Sequence, residues 1–177
     1  SMVTLCYLRR FLRFLAGLAD GAGAAEVPVS GEVARWFRRV RDILRTAGGK
    51  NAAGIDDVAR RRIMDELGEA FSSYRETVYD AGFSGGAALP FGDIAAFCRE
   101  AGEVLDATIR ENRRDDGLYH SYNLLSLSPD GRRASVRRLY PMLEGQVAVL
   151  GSGAVGPAGA PALVDALFES DMYRQDQ

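Results

Sequence analysis

The sequence predicts an all-α protein of about six helices, an antiparallel paired-helix array or part of an (α/α) toroid. Three observations carry this. Long segments place apolar residues at helical spacing, no segment alternates apolar and polar residues for more than a few positions, and the breaks fall at glycine, proline or capping residues. With 47% hydrophobic and 26% charged residues in 177, the chain is a globular one, long enough for a single domain over 3–177 with a buried core.

Ser1-Met2 reads as a remnant of tag removal and lies outside the fold reasoning. The first helix covers residues 5–18, with Leu5, Leu8, Leu12 and Leu15 on one stripe and Arg9, Arg10 and Arg13 off it. No acid precedes Asp20, which also fits a targeting or membrane-surface segment, but the stripe is expected to cover a core. Residues 21–29 form a small-residue linker, and Ser30 is placed to cap the next helix. There Val33, Trp36, Phe37, Val40 and Leu44 keep helical spacing while arginines occupy the other faces, and Gly48-Gly49 ends the run.

A flexible stretch then leads to Asp56 or Asp57 as the next cap. Ala59, Ile63, Leu67, Ala70, Phe71, Tyr74 and Val78 draw a long stripe closed by Gly82. Gly85-Gly86 marks a loop, and Pro90 suits the first turn of a helix with the stripe Ile94, Phe97, Cys98, Ala101, Leu105, Thr108 and Ile109. Residues 124–127 read as a short extended segment, and Ser128-Pro129-Asp130-Gly131 as a turn. Val136, Leu139, Tyr140, Leu143, Val147 and Leu150 resume helical spacing, with Pro141 a kink or a fresh start. After the Gly/Pro-rich residues 151–159, Pro161 opens a last helix through Leu163, Leu167 and Phe168.

Charge and composition exclude several functions. A formal net charge of −2 provides no field for nucleic acid or anionic lipid, and neither partner is expected. Arg60, Arg61 and Arg62, like Arg132, Arg133, Arg137 and Arg138, lack interleaved aromatics to stack bases and read as solvated faces. The longest uncharged run, 145–164, is interrupted by glycines and prolines and makes no membrane-spanning helix. One histidine and two cysteines in no ligand spacing make no metal site. Cys6 and Cys98 read as free thiols of a reducing compartment, so the cytoplasm is expected.

Residues 146–156, QVAVLGSGAVG, contain the spacing G-x-G-x-x-G at Gly151, Gly153 and Gly156, and Asp171 follows 20 residues after Gly151. A dinucleotide site needs those glycines to open a helix within a strand-helix-strand unit. Pro157 and Pro161 interrupt the chain there, and no such alternation precedes it, so an interhelical loop and no cofactor are expected.

One stretch stands apart. Residues 110–125, RENRRDDGLYHSYNLL, follow a long amphipathic helix and turn at Asp115-Asp116-Gly117. They then bring together the chain's only histidine, His120, with Tyr119, Tyr122 and Asn123. Ser121 beside His120 makes no triad, because adjacent side chains rarely face each other. A histidine capping the preceding helix is as consistent with the pattern as a reactive one.

NRRDDGLYHSYNLL (112–125), LYPMLEGQVAVLGSG (139–153) and SDMYRQDQ (170–177), joined by YRETVYDAGFSG (74–85), resemble segments of large uncharacterised bacterial relatives of cellobiose phosphorylase. The resemblance covers roughly the second half of the chain. It implies a carbohydrate-active helical domain of glycoside hydrolase or phosphorylase type, a carbohydrate partner, and contact with a neighbouring domain. A complete toroid needs roughly twice the helices read here, so the chain is expected to be part of a longer protein. Glycosidic cleavage needs a carboxylic acid opposite a second carboxylate or an external nucleophile. The resemblance offers Asp115 or Asp116 as the acid and Glu144 as the second carboxylate, with Tyr119, His120, Tyr122 and Asn123 on sugar hydroxyls. The rival function is a non-catalytic helical module whose charged faces bind another domain or protein. A polar pocket holding Asp116, His120 and Asn123 favours the first; burial of those residues in capping bonds favours the second.

Overall fold

The computed structural model describes residues 1–48, 55–174 and 176. Among these are six helices and two small antiparallel ribbons of two strands each, so the protein is mostly helical and not all-α. The chain forms two compact units. The first comprises Ser1–Phe11, Leu105–Ser126 and Ser135–Gln177, the second Leu12–Val104 and Leu127–Ala134.

In the second unit, residues expected as a linker and a loop pair instead. Strand β1 (Glu26–Val29) runs antiparallel to β2 (Ala87–Pro90), with Val27 opposite Leu89 and Pro28 opposite Ala88. Val27 and Val29 are half-buried between exposed neighbours, and Leu89 is buried, which is the period-2 burial of a strand. Four residues are too few for that alternation to register as a pattern. Pro90 closes β2 rather than lying inside the following helix.

Helix α2 (Gly31–Gly48) starts where Ser30 Oγ accepts the Val33 N–H at 3.3 Å. Helix α3 (Asp57–Ala81) is capped by Asp56, whose carboxylate accepts the Ala59 N–H at 2.7 Å, and it closes at Gly82 with φ 70°. The expected terminator Gly48-Gly49 and the stretch after it lie partly or wholly outside the described residues. Helices α2 and α3 pack together through Trp36, whose ring stacks on Tyr74 at 5.3 Å, while Phe37 meets Phe97 of α4 (Phe91–Glu111) at 5.1 Å. Arg41 ties α2 to α4 through Glu100 at 3.0 Å and Asp93 at 3.1 Å.

Helix α1 (Met2–Gly21) forms as expected, but on a rotated face. Met2, Cys6, Arg9, Leu12, Ala16 and Ala19 are buried, whereas Leu8 is 45% exposed, and Tyr7, Phe11, Phe14 and Leu18 are more exposed still. Small side chains allow close approach on the buried face, and the buried Arg9 is neutralised there. It pairs with Asp106 and donates to the Ser152 carbonyl at 2.7 Å.

Two further expectations are corrected in the first unit's half of the chain. Residues 134–138, read as helical, form strand β4 (Ala134–Arg138), antiparallel to β3 (Asn123–Leu127) around the 128–131 turn. Helix α5 (Leu143–Ser152) begins only after Pro141, and it buries Gly145, Gln146, Ala148 and Val149 while exposing Leu143 and Val147. The last helix, α6 (Ala160–Phe168), carries Pro161 in its first turn as expected. The core of this unit gathers Met2, Cys6, Ile109, Tyr119, Ala148, Val149 and Leu163.

Candidate functional site

Helix α4 stops at Glu111, and the chain turns back through Asp115-Asp116-Gly117, where Gly117 takes φ 84°. An isolated bridge between Arg113 and Tyr119, with Arg114 N–H on the Leu118 carbonyl at 2.8 Å, fastens the turn. Asp116 accepts a forked pair of bonds from Arg114 at 2.7 and 2.9 Å and one from the Leu118 N–H at 3.1 Å. The Arg114 guanidinium holds the Asp116 carboxyl below its ordinary value despite partial desolvation. Asp116 is therefore a carboxylate near neutral pH and has no proton to give to a leaving oxygen.

The other candidates separate. Tyr119 is a core residue, and Gln146 clamps its backbone, accepting from Tyr119 N–H at 2.9 Å and donating to its carbonyl at 2.8 Å. His120 is buried, and its backbone N–H donates to the Asn112 carbonyl at 3.0 Å. Burial, then the nearby Arg138 charge, lowers the His120 pKa, so the ring is neutral near pH 7. Asn123 donates to Asn112 Oδ1 at 2.8 Å, and Asn112 donates to the Thr108 carbonyl at 2.8 Å. This chain of amides satisfies the end of α4, a role expected of the His120 side chain and filled instead by Asn112, Asn123 and the His120 backbone. His120 Nδ1 and Asn123 Oδ1 stay buried without hydrogen-bond partners among the described residues. Tyr122 is half-buried and its carbonyl accepts the Leu139 N–H at 3.1 Å. Asp115 and Glu144 are exposed, Glu144 in the first turn of α5.

Of the candidates, Asp116 lines a cleft of about 390 Å³ in this unit, and Tyr119 lines another of about 260 Å³. In the larger cleft Arg114 and Leu118 lie beside Asp116, Pro141 forms another wall, and Glu169, Ser170, Asp171 and Met172 follow from the end of α6. Sequence reasoning missed Glu169 and the wall role of Asp171. Only their closeness in sequence to the tail segment 170–177 pointed there, and two residues of that segment, Gln175 and Gln177, lie outside the described residues. It also missed Gln146 and Ser121, both almost fully buried, because a buried glutamine and serine leave no periodic signal.

The glycine motif resolves clearly. Gly151 lies in the last turn of α5, and Gly153 is that helix's left-handed C-cap at φ 69°, so the glycines close a helix rather than open one. Pyrophosphate recognition needs the opposite polarity, a helix N-terminus. Among the described residues no group of three or more His, Cys, Asp or Glu is arranged to hold a metal ion, and no helix is long and apolar enough to cross a membrane. No protein-family profile and no curated protein matches the chain.

Proposed function

We propose that the chain is a sugar-binding helical domain of a carbohydrate-active protein, part of a larger helical toroid of glycoside hydrolase or phosphorylase type. One observation carries the reading. Three of the four stretches that bear the resemblance contribute walls to the same cleft: Arg114, Asp116 and Leu118 from residues 112–125, Pro141 from 139–153, and Ser170, Asp171 and Met172 from 170–177. Carboxylates of Asp116, Glu169 and Asp171 accept hydrogen bonds from sugar hydroxyls, and Arg114 donates. The ionised Asp116 fits binding rather than acid catalysis, so the domain holds a glycan whose chemistry belongs elsewhere in the protein. The buried thiols of Cys6 and Cys98 suit a reducing, cytoplasmic setting.

The test is a glycan panel followed by calorimetry on the best oligosaccharide. Asp116→Asn, which keeps an acceptor for the Leu118 N–H, and Asp171→Asn are expected to weaken binding about tenfold each, or about 1.4 kcal/mol, with little change in melting temperature. A panel with no binding by the parent protein removes the proposal.

A second reading, a non-catalytic module that binds a neighbouring domain or protein, is favoured by the burial of His120 and the Asn123–Asn112 bond at the end of α4, and by the outer face of α1. Tyr7, Phe11, Phe14 and Leu18 recur at helical spacing and are all at least 55% exposed. Apolar patches of this kind mark interaction surfaces. If this reading holds, Phe11→Ser with Phe14→Ser abolishes partner capture by the longer protein while leaving the circular dichroism spectrum unchanged.

A further inference from the structure

The second unit has a cleft of its own, about 250 Å³, between α2 and α3. Its walls are made by two helical repeats. Arg35 and Arg39 stand one turn apart on α2, and Ser73 and Thr77 stand one turn apart on α3. Trp36 and Tyr74, stacked on each other, line it between these pairs.

Hydrogen bonding in the cleft is unevenly spent. The Glu32 carboxylate is almost fully buried and fully engaged, accepting from the Ser84 N–H at 3.2 Å, the Ser84 hydroxyl at 2.5 Å and Arg35 at 3.2 Å. The Ser84 hydroxyl, with backbone N–H donors behind it, holds the Glu32 pKa down, to about 2, so Glu32 is a carboxylate beside Arg35 across the neutral range. Arg39 has a looser partner: Glu69 lies 3.6 Å away, and both side chains are more than half exposed. Such a pair is screened by water and exchanges readily. Trp36 Nε1 is buried with no hydrogen-bond partner among the described residues, although a buried indole N–H normally finds an acceptor. The Thr77 hydroxyl donates to the Ser73 carbonyl at 2.8 Å, and Ser73 and Tyr74 line the cleft beside it.

We infer that this cleft binds the oxyanion group of a small ligand, a phosphoryl or carboxylate group held by Arg39, Ser73 and Tyr74 beside the indole N–H of Trp36. Glu32 occupies Arg35, whereas Arg39 keeps only its exposed partner Glu69, so an anion that displaces Glu69 gains the Arg39 fork. A planar fork next to hydroxyls is the donor set that carboxylate and phosphate recognition uses. This site is independent of the sugar cleft, which belongs to the other unit.

Trp36 is the only tryptophan of the chain, so its emission reports on this cleft alone. The full chain is titrated with inorganic phosphate, and in a second arm with acetate, at ionic strength held constant with sodium chloride. A saturable change in Trp36 emission in the millimolar range or below is expected in at least one arm. Saturation by phosphate assigns a phosphoryl group, and saturation by acetate alone a carboxylate. Arg39→Gln, at an exposed position, raises the half-saturation concentration about tenfold, and Ser73→Ala raises it severalfold. A linear response in both arms, or curves unchanged in both variants, overturns the inference.

Discussion

Gly145 illustrates how a single residue is decided by its surroundings. It lies inside α5, where alanine is ordinarily preferred by about 1 kcal/mol. A Cβ there would meet Ser121 Cβ at 3.0 Å and Ser121 Cα at 3.1 Å and would collide with the Ser121 hydroxyl. Ser121 has little room to yield, because its hydroxyl donates to the Met142 carbonyl at 3.0 Å and its own carbonyl accepts the Met2 N–H at 2.9 Å. Overpacking costs about 1–3 kcal/mol, so the clash outweighs the propensity gain. Gly145→Ala is expected to lower the urea midpoint, and adding Ser121→Gly to recover part of the loss in a double-mutant cycle. His120 gives a second residue-scale expectation. Its folded pKa is lowered by burial, so its contribution to stability is full above the unfolded value of about 6.5 and fades as pH falls below it towards the folded value. Replacing it with the non-titrating His120→Gln should flatten the stability profile below pH 6.5, by up to about 1.4 kcal/mol per pH unit for the one proton. A profile as steep as that of the parent protein would show that His120 does not titrate on unfolding.

At the scale of elements, caps and breakers were legible and faces were not. Asp56, Gly82, Ser30 and Pro161 act where their chemistry placed them, because an Ncap carboxylate, a positive φ or a missing N–H is a local property. Removing one should show its local value: Asp56→Ala loses a solvent-exposed cap bond and should cost about 1 kcal/mol in a denaturant melt. The outward face of α1 was unforeseen for the opposite reason. Apolar stripes through Leu5, Leu8, Leu12 and Leu15 and through Tyr7, Phe11, Phe14 and Leu18 coexist on one helix, and its buried face takes only Leu12 of these, with Cys6, Arg9 and Ala16. Burial of Arg9 is possible only because Asp106 and a helix-end carbonyl, far along the chain, meet it. Likewise β1 and β2 exist through each other, although Val27 and its partner Leu89 lie 62 positions apart.

For the molecule as a whole, carboxylates with lowered pKa set the acid limit. Glu32, Glu100 and Asp116 are each held down by hydrogen bonds, from Ser84, Arg41 and Arg114 respectively. The unfolded chain therefore binds more protons as pH falls, and the stability these groups contribute is present above their unfolded values and lost as pH drops through the folded ones. Below the step that His120 contributes, urea midpoints should decline further from about pH 4.5 downward. Glu32→Gln should make that decline shallower, and an unchanged slope would assign the acid limb to other groups.

Of the candidate site, local chemistry alone determined the Asp115-Asp116-Gly117 turn, the amide-rich end of α4 and the failure of the glycine motif to open a helix. These follow from one or two neighbouring residues and need no partner. Which of the clustered polar side chains reaches a cleft was decided by tertiary structure. Tyr119 turned into the core because Gln146 of α5 fixes its backbone, and His120 and Asn123 turned inward with it. Asp116 stayed at the surface because Arg114, two residues away, and the tail after α6 surround it. Sequence spacing sets which residues share a turn, but only packing between distant segments chooses which of them face water.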